Sequence, residues 1–121
     1  MAYPSTPGRH AIEVIIGDNL AIVVRLLDAD GVGYDLSAAT GTGQITAQNH
    51  GTVLLALTVG STGDATRLLA DGYILISATA AETAALTARL AEYAIRLSWS
   101  GPTYVATVLL GDCTIRKVWS S

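Results

Sequence analysis

Short apolar runs rich in Val and Ile, separated by Gly, Asp and Asn, recur along this chain and limit what it can fold into. A buried helix needs apolar residues sustained at a 3.6-residue period, whereas alternation or a brief β-branched run between turn residues reads as a strand. Ala11–Ile16 alternates around Glu13 and stops at Gly17-Asp18-Asn19. Leu20–Asp28 follows as a near-continuous apolar strand and turns at Ala29-Asp30-Gly31, where glycine accepts the positive φ of a turn. Tyr34–Ser37 connects to the alternating stretch Thr42–Gln48, and Asn49-His50-Gly51 folds that stretch back onto Thr52–Val59 as a hairpin. Gly60–Ala65 is a polar loop, Arg67–Ala70 fits neither period, and Gly72–Ser77 reads as another strand.

One helical signal interrupts this pattern. Thr79 and Glu82 stand at capping-box spacing ahead of an Ala-rich stretch, so a short helix of about one to three turns is expected within Thr79–Leu90. Glu92–Trp99 then alternates strictly. Tyr93, Ile95, Leu97 and Trp99 share one face and Glu92, Ala94, Arg96 and Ser98 the other, which places the first set in the core. After Ser100-Gly101-Pro102 comes the strand Thr103–Leu110, an interruption at Gly111-Asp112, and a last strand Cys113–Trp119. About eight strands with one short helix predict an all-β fold, an antiparallel β-sandwich of immunoglobulin-like general architecture. The sandwich is expected over residues 11–121, behind an extended arm at residues 1–10.

The chain has 121 residues, of which 50% are hydrophobic and 14% charged, a balance that suits one folded domain and not a disordered chain. With no Phe, the core must consist mainly of Leu, Ile, Val and Ala. The high apolar fraction predicts some surface buried against neighbouring subunits. The longest apolar run, Leu20–Leu27, is broken by Arg25 and is too short to span a membrane, so no membrane partner is expected. Net charge is -3, and Arg116-Lys117 is the only adjacent Lys/Arg pair, which argues against nucleic acid as a partner. The single cysteine, Cys113, excludes an internal disulfide and a cysteine metal cluster, and fits synthesis in a reducing cytoplasm.

No set of residues marks a reaction. His10 lies in the arm and His50 in a hairpin turn, and neither is held as a general base must be. Cys113 stands among β-branched residues and reads as a small buried hydrophobe. Asp28 and Asp30 before Gly31 superficially resemble the opening of a calcium loop, and Asp35 would join them round one cation if the turn folded back, but the further ligands and the closing Glu are missing, and an Asp-rich turn accounts for them. No two of the ten carboxylates stand out as a glycosidase pair. Gly41-Thr42-Gly43 lacks phosphate-loop spacing. Tyr73, Tyr104 and Trp119 show no spacing that would gather them into a sugar platform. The expectation is a non-enzymatic protein with no catalytic residues, cofactor or metal.

The arm carries the candidate interface. Pro4 and Pro7 withhold backbone donors and restrict their neighbours, so Met1–Arg9 is not expected to join the domain's own sheet. Tyr3 would anchor such a segment on a neighbouring subunit, with Pro4, Pro7 and Arg9 beside it.

The order of these pieces resembles a known family. A strand ending in Asp28 and Gly31 leads to a turn made by Asp35, Leu36 and Ser37; later a strand carries Tyr93, Ile95, Arg96 and Leu97, and a final strand carries Gly111 and Ile115. In this the chain is similar to the small N-terminal attachment domain of phage and prophage baseplate upper proteins, and to related β-sandwich domains of tail and virion proteins. The likeness runs from Glu13 onwards. It implies a non-enzymatic structural or assembly subunit of a virion, made in the host bacterial cytoplasm. Such a subunit would bind other virion proteins, with a homo-oligomer in a symmetric assembly as the expected state. Longer members carry a stalk and head after this domain, so a free-standing tail, baseplate or adaptor protein is expected here. Capsid decoration is the alternative within that class, and a carbohydrate-binding adhesion module the alternative outside it.

Overall fold

The alternating stretches become strands. A computed structural model of the chain describes residues 8–28, 30–48, 51–100 and 103–118. Its strands are β1 (Gly8–Arg9), β2 (Ile12–Ile15), β3 (Leu20–Arg25), β4 (Ala39–Ala47), β5 (Val53–Gly60), β6 (Tyr73–Ala78), β7 (Arg89–Ser100) and β8 (Thr103–Arg116). Helix α1 (Ala80–Thr83) lies between β6 and β7, and the ambiguous segment before β6 forms a 3-10 turn at Leu69–Asp71.

Hydrogen bonding links the strands in the order β1-β8-β7-β4-β5-β6-β3, with β2 also on β8. Thr58 and Val59 of β5 pair with β4 on one side and β6 on the other, so one sheet bends there into two layers. Layer one is β3-β6-β5 and layer two β4-β7-β8, which match the B-E-D and C-F-G layers of an immunoglobulin-like sandwich, the first strands lying on G. The sheet is mixed, because β1 and β2 run parallel to β8 while the other pairs are antiparallel. Hairpin reasoning cannot detect a parallel pair whose members enclose nearly the whole chain.

The core is the alternation of β7 met from the other layer. Tyr93, Ile95, Leu97 and Trp99 are buried, with Ile45 beside Tyr93 on the neighbouring β4 and Leu57, Ile74, Ile76 and Leu36 in the same buried cluster. Gly41 and Gly43 belong to the inward face of β4. A Cβ on Gly41 would overlap Val59 and Leu97, and one on Gly43 would overlap Ile95, so these glycines let large neighbours fill the space.

Strand β8 is one continuous strand, not two separated at Gly111-Asp112. Ile95 faces Leu109 while Arg96 faces Thr107, so Val108 is an extra residue and both Val108 and Leu109 turn inward. This bulge switches the buried phase from even to odd positions.

The arm joins the sheet earlier than its prolines suggest. Gly8 and Arg9 pair with Leu109 and Leu110, and the His10 amide donates to the Leu110 carbonyl at 3.1 Å. The open edge of β8 accepts these residues because both prolines precede Gly8. The His10 carbonyl passes directly over Gly111, where a Cβ would overlap it, and it accepts the Tyr93 hydroxyl from beneath.

Helix α1 is shorter than the Ala-rich stretch allows. Its capping box forms as expected, with Glu82 N–H donating to Thr79 Oγ1 at 3.2 Å and Thr79 N–H to Glu82 Oε1 at 2.9 Å. Tertiary contacts then halt it. Thr83, fully buried, donates its hydroxyl to the Asp18 carbonyl at 2.8 Å and accepts the Gly17 amide at 3.1 Å, while the Ala80 amide donates to Asn19 Oδ1 at 2.7 Å. These bonds fasten α1 to the turn joining β2 to β3, the one place where the chain crosses from β8's edge to β6's. Arg89 already belongs to β7.

Gly111→Ala should destabilise the domain by about 1–3 kcal/mol in urea unfolding, by overpacking against the His10 carbonyl. Tyr93→Phe should cost about 1–2 kcal/mol. Both changes act on one contact, so the double variant should lose less than the sum of the single losses. Full additivity would show that the two residues do not share His10.

Candidate protein-interaction surface

Strand β3 ends the sheet order, so among the described residues one of its edges has no strand beside it. The Leu26 amide donates to the Gly72 carbonyl at 2.8 Å, which sets the phase: even residues of β3 bond to β6, and the backbone groups of Ala21, Val23 and Arg25 point away from it. Natural edges are commonly guarded by Lys, Pro or a bulge. This one has a single charged residue, Arg25, and its side chain is drawn elsewhere. The guanidinium lies 5.0 Å from the centre of the Tyr73 ring, and Nε donates to the Asp71 carbonyl at 3.1 Å. Val23 and Leu27 remain exposed at 39% and 47%.

A groove of about 660 Å³ runs along this edge. One wall is Ile22–Asp28 with Tyr34, and the other is Gly8, Arg9, His10, Val108 and Leu109. The two ends of the sheet order thus face each other across open space. Among the predicted interface residues, Arg9 lies on the rim of this groove; Tyr3, Pro4 and Pro7 lie outside the described residues.

A second concavity, about 530 Å³, opens on the outer face of β4, β7 and β8 among Arg9, Gln44, Thr46, Glu92, Arg96 and Asp112. Glu92 stands directly opposite Asp112 in the β7–β8 register. A like-charge cross-strand pair is unfavourable, and only the pairing reveals it, since the two residues are far apart in sequence. Among the described residues no three His, Cys, Asp or Glu side chains gather as a metal site would require.

The remaining candidates have structural work. Asp28 Oδ1 accepts the Asp30 and Val32 amides at 2.9 and 3.0 Å, making the turn that the sequence assigned to it. Asp35 Oδ1 accepts the Ser37 hydroxyl and amide, and these bonds hold its carboxyl below the usual carboxylate range. His10 serves the sheet through its backbone; His50 and Trp119 lie outside the described residues. Tyr73 on β6 and Tyr104 on β8 are separated by β5, β4 and β7, and Tyr104 packs on Trp99 with ring centroids 6.0 Å apart, so they form no joint platform.

Cys113 is fully buried beside Tyr93. Burial pushes its thiol up to about 11, and burial together with the neighbouring thiol pushes the Tyr93 hydroxyl up to about 12.

No known protein-family model matches this chain, and no curated protein does. Among solved structures the chain is similar to the filamin domain of Lin-41, with a TM-score of 0.40 and 17% sequence identity over 86% of this chain and 82% of that one. At that distance the likeness carries nothing about function.

Both buried acids have folded pKa values above their ordinary values of 9.0 and 10.0. The folded state therefore holds its protons to higher pH than the unfolded state, and stability falls as pH rises. The urea midpoint should stay flat up to about pH 9 and decline from there towards pH 12, with Cys113→Ala removing the decline between 9 and 10 and lessening it from 10 to 11, where Tyr93 also contributes. A midpoint unchanged through pH 11 would contradict this burial.

Proposed function

We propose that the chain is a non-enzymatic structural subunit of a phage or prophage virion, working in the tail or baseplate by binding other virion proteins. The observation that carries the binding reading is the unguarded edge of β3, with Val23 and Leu27 exposed beside a groove large enough for a segment of another chain. An edge of this kind offers backbone donors and acceptors to any strand laid against it.

The virion setting is supported by the sequence resemblance. The residues that carry it occupy places of structural consequence: Asp28 and Asp35 order the turns after β3, Tyr93, Ile95 and Leu97 line the core, and Gly111 admits the N-terminal strand. A fold-level role for these residues fits a small module repeated many times in an assembly, where weak contacts are multiplied by symmetry. Capsid decoration uses the same physics on a different part of the particle.

Mass spectrometry of purified phage particles tests this reading. The chain's peptides should co-purify with the particle and remain after removal of loosely bound protein. Recovery only in the soluble lysate, with particles free of it, would overturn the virion assignment.

A further inference from the structure

We infer that the edge of β3 receives residues Met1–Pro7 of a second copy of this chain, as an added strand in the groove beside Gly8–His10. The inference deepens the assembly reading above and rests on it for its biological setting.

Three observations lead there. The acceptor is the backbone of Ala21, Val23 and Arg25, unpaired among the described residues, on a six-residue strand with no Pro, Lys or bulge and with its one cation turned onto Tyr73 and Asp71. The donor is Met1–Pro7, which carries no charged side chain and leads into Gly8, a residue that lines the same groove. Extended at about 3.3 Å per residue, such a segment spans roughly 23 Å, enough to cover the whole of β3 at about 20 Å.

Direction decides which copy supplies the donor. Strand β1 runs parallel to β8, with Gly8 beside Leu109. A segment continuing β1 backwards would travel towards Thr103. The start of β3, with Ala21 and Val23, lies the other way, because β2 pairs with Cys113–Arg116 and a short turn joins it directly to Leu20, while Arg25–Asp28 reach the level of Gly8. The direction set by Gly8 and Arg9 thus points away from Ala21 and Val23, which leaves that stretch of edge to a neighbour's segment. Exchange of a terminal segment between identical subunits is a low-cost route to symmetric assembly. Within the donor, Tyr3 supplies the aromatic contact that interfaces favour.

The test uses the full chain with Tyr3→p-benzoylphenylalanine, prepared as an equal mixture of light and nitrogen-15-labelled protein and irradiated. Cross-linked peptides should join position 3 to residues 20–28, and about half should pair a light with a heavy chain, as random exchange between copies requires. Val23→Pro removes one outward N–H from the edge and should lower that cross-link yield at least tenfold. If Val23→Pro fails to fold, the isotope map decides alone. Cross-links to 20–28 only within light or within heavy chains would mean that the segment folds onto its own β3 and would overturn exchange. Cross-links elsewhere, or none, would overturn the site. Neither result bears on whether the chain co-purifies with particles, so the two readings fail separately.

Discussion

The crossing of the N-terminal strand over Gly111 is the contact on which the rest of this fold depends. Without a side chain at Gly111, the His10 carbonyl can lie close against β8, where the Tyr93 hydroxyl meets it from the core. That places β1 and β2 parallel to β8 and sends the chain out through the Gly17-Asp18-Asn19 turn to begin β3 on the opposite layer. Thr83 and Asn19 then lock this turn to helix α1. The two layers are thus tied twice, within the sheet order by the bend in β5 and between its two ends by the crossing from β2 to β3.

The same crossing creates the surface that binding requires. Because β1 and β2 settle on β8, they do not pair with β3, and among the described residues β3 keeps a free edge facing them across the groove. A β-sandwich that sends its first strand to the opposite layer must leave some edge uncovered unless another segment arrives. Exposed apolar side chains at Val23 and Leu27 make that edge costly to leave in water. The high hydrophobic fraction of the chain finds part of its explanation here.

Much of this architecture was legible in the residues. Strict alternation in β7 assigned Tyr93, Ile95, Leu97 and Trp99 to the core, the capping box located α1, and the Asp-rich turn after β3 is built by Asp28 as its chemistry suggests. What escaped reading has a common cause, which is contact between residues distant in sequence. The parallel pairing of β1 and β2 with β8 spans nearly the full chain, and the Glu92–Asp112 pair exists only once β7 and β8 are aligned. The break read at Gly111-Asp112 is absent, and the true irregularity, the bulge at Val108, lies inside the stretch Thr103–Leu110 that reads as unbroken strand. Helix α1 takes the shortest of the one to three turns expected, and what the sequence did not display is that buried Thr83 fastens it to the β2–β3 turn. As for the surface, the sequence pointed to the arm and to Arg9; the free edge of β3 became visible only from the strand order.

Residue-resolved amide hydrogen exchange at His10 tests the central contact most directly. Its N–H donates to the Leu110 carbonyl at 3.1 Å at the point where the chain passes over Gly111. The His10 amide should therefore exchange at least a hundredfold more slowly than in an unstructured peptide, and Gly111→Ala should remove most of that protection while β7 stays protected. Exchange of His10 at the unstructured rate in the unsubstituted chain would contradict the crossing and, with it, the origin of the free β3 edge.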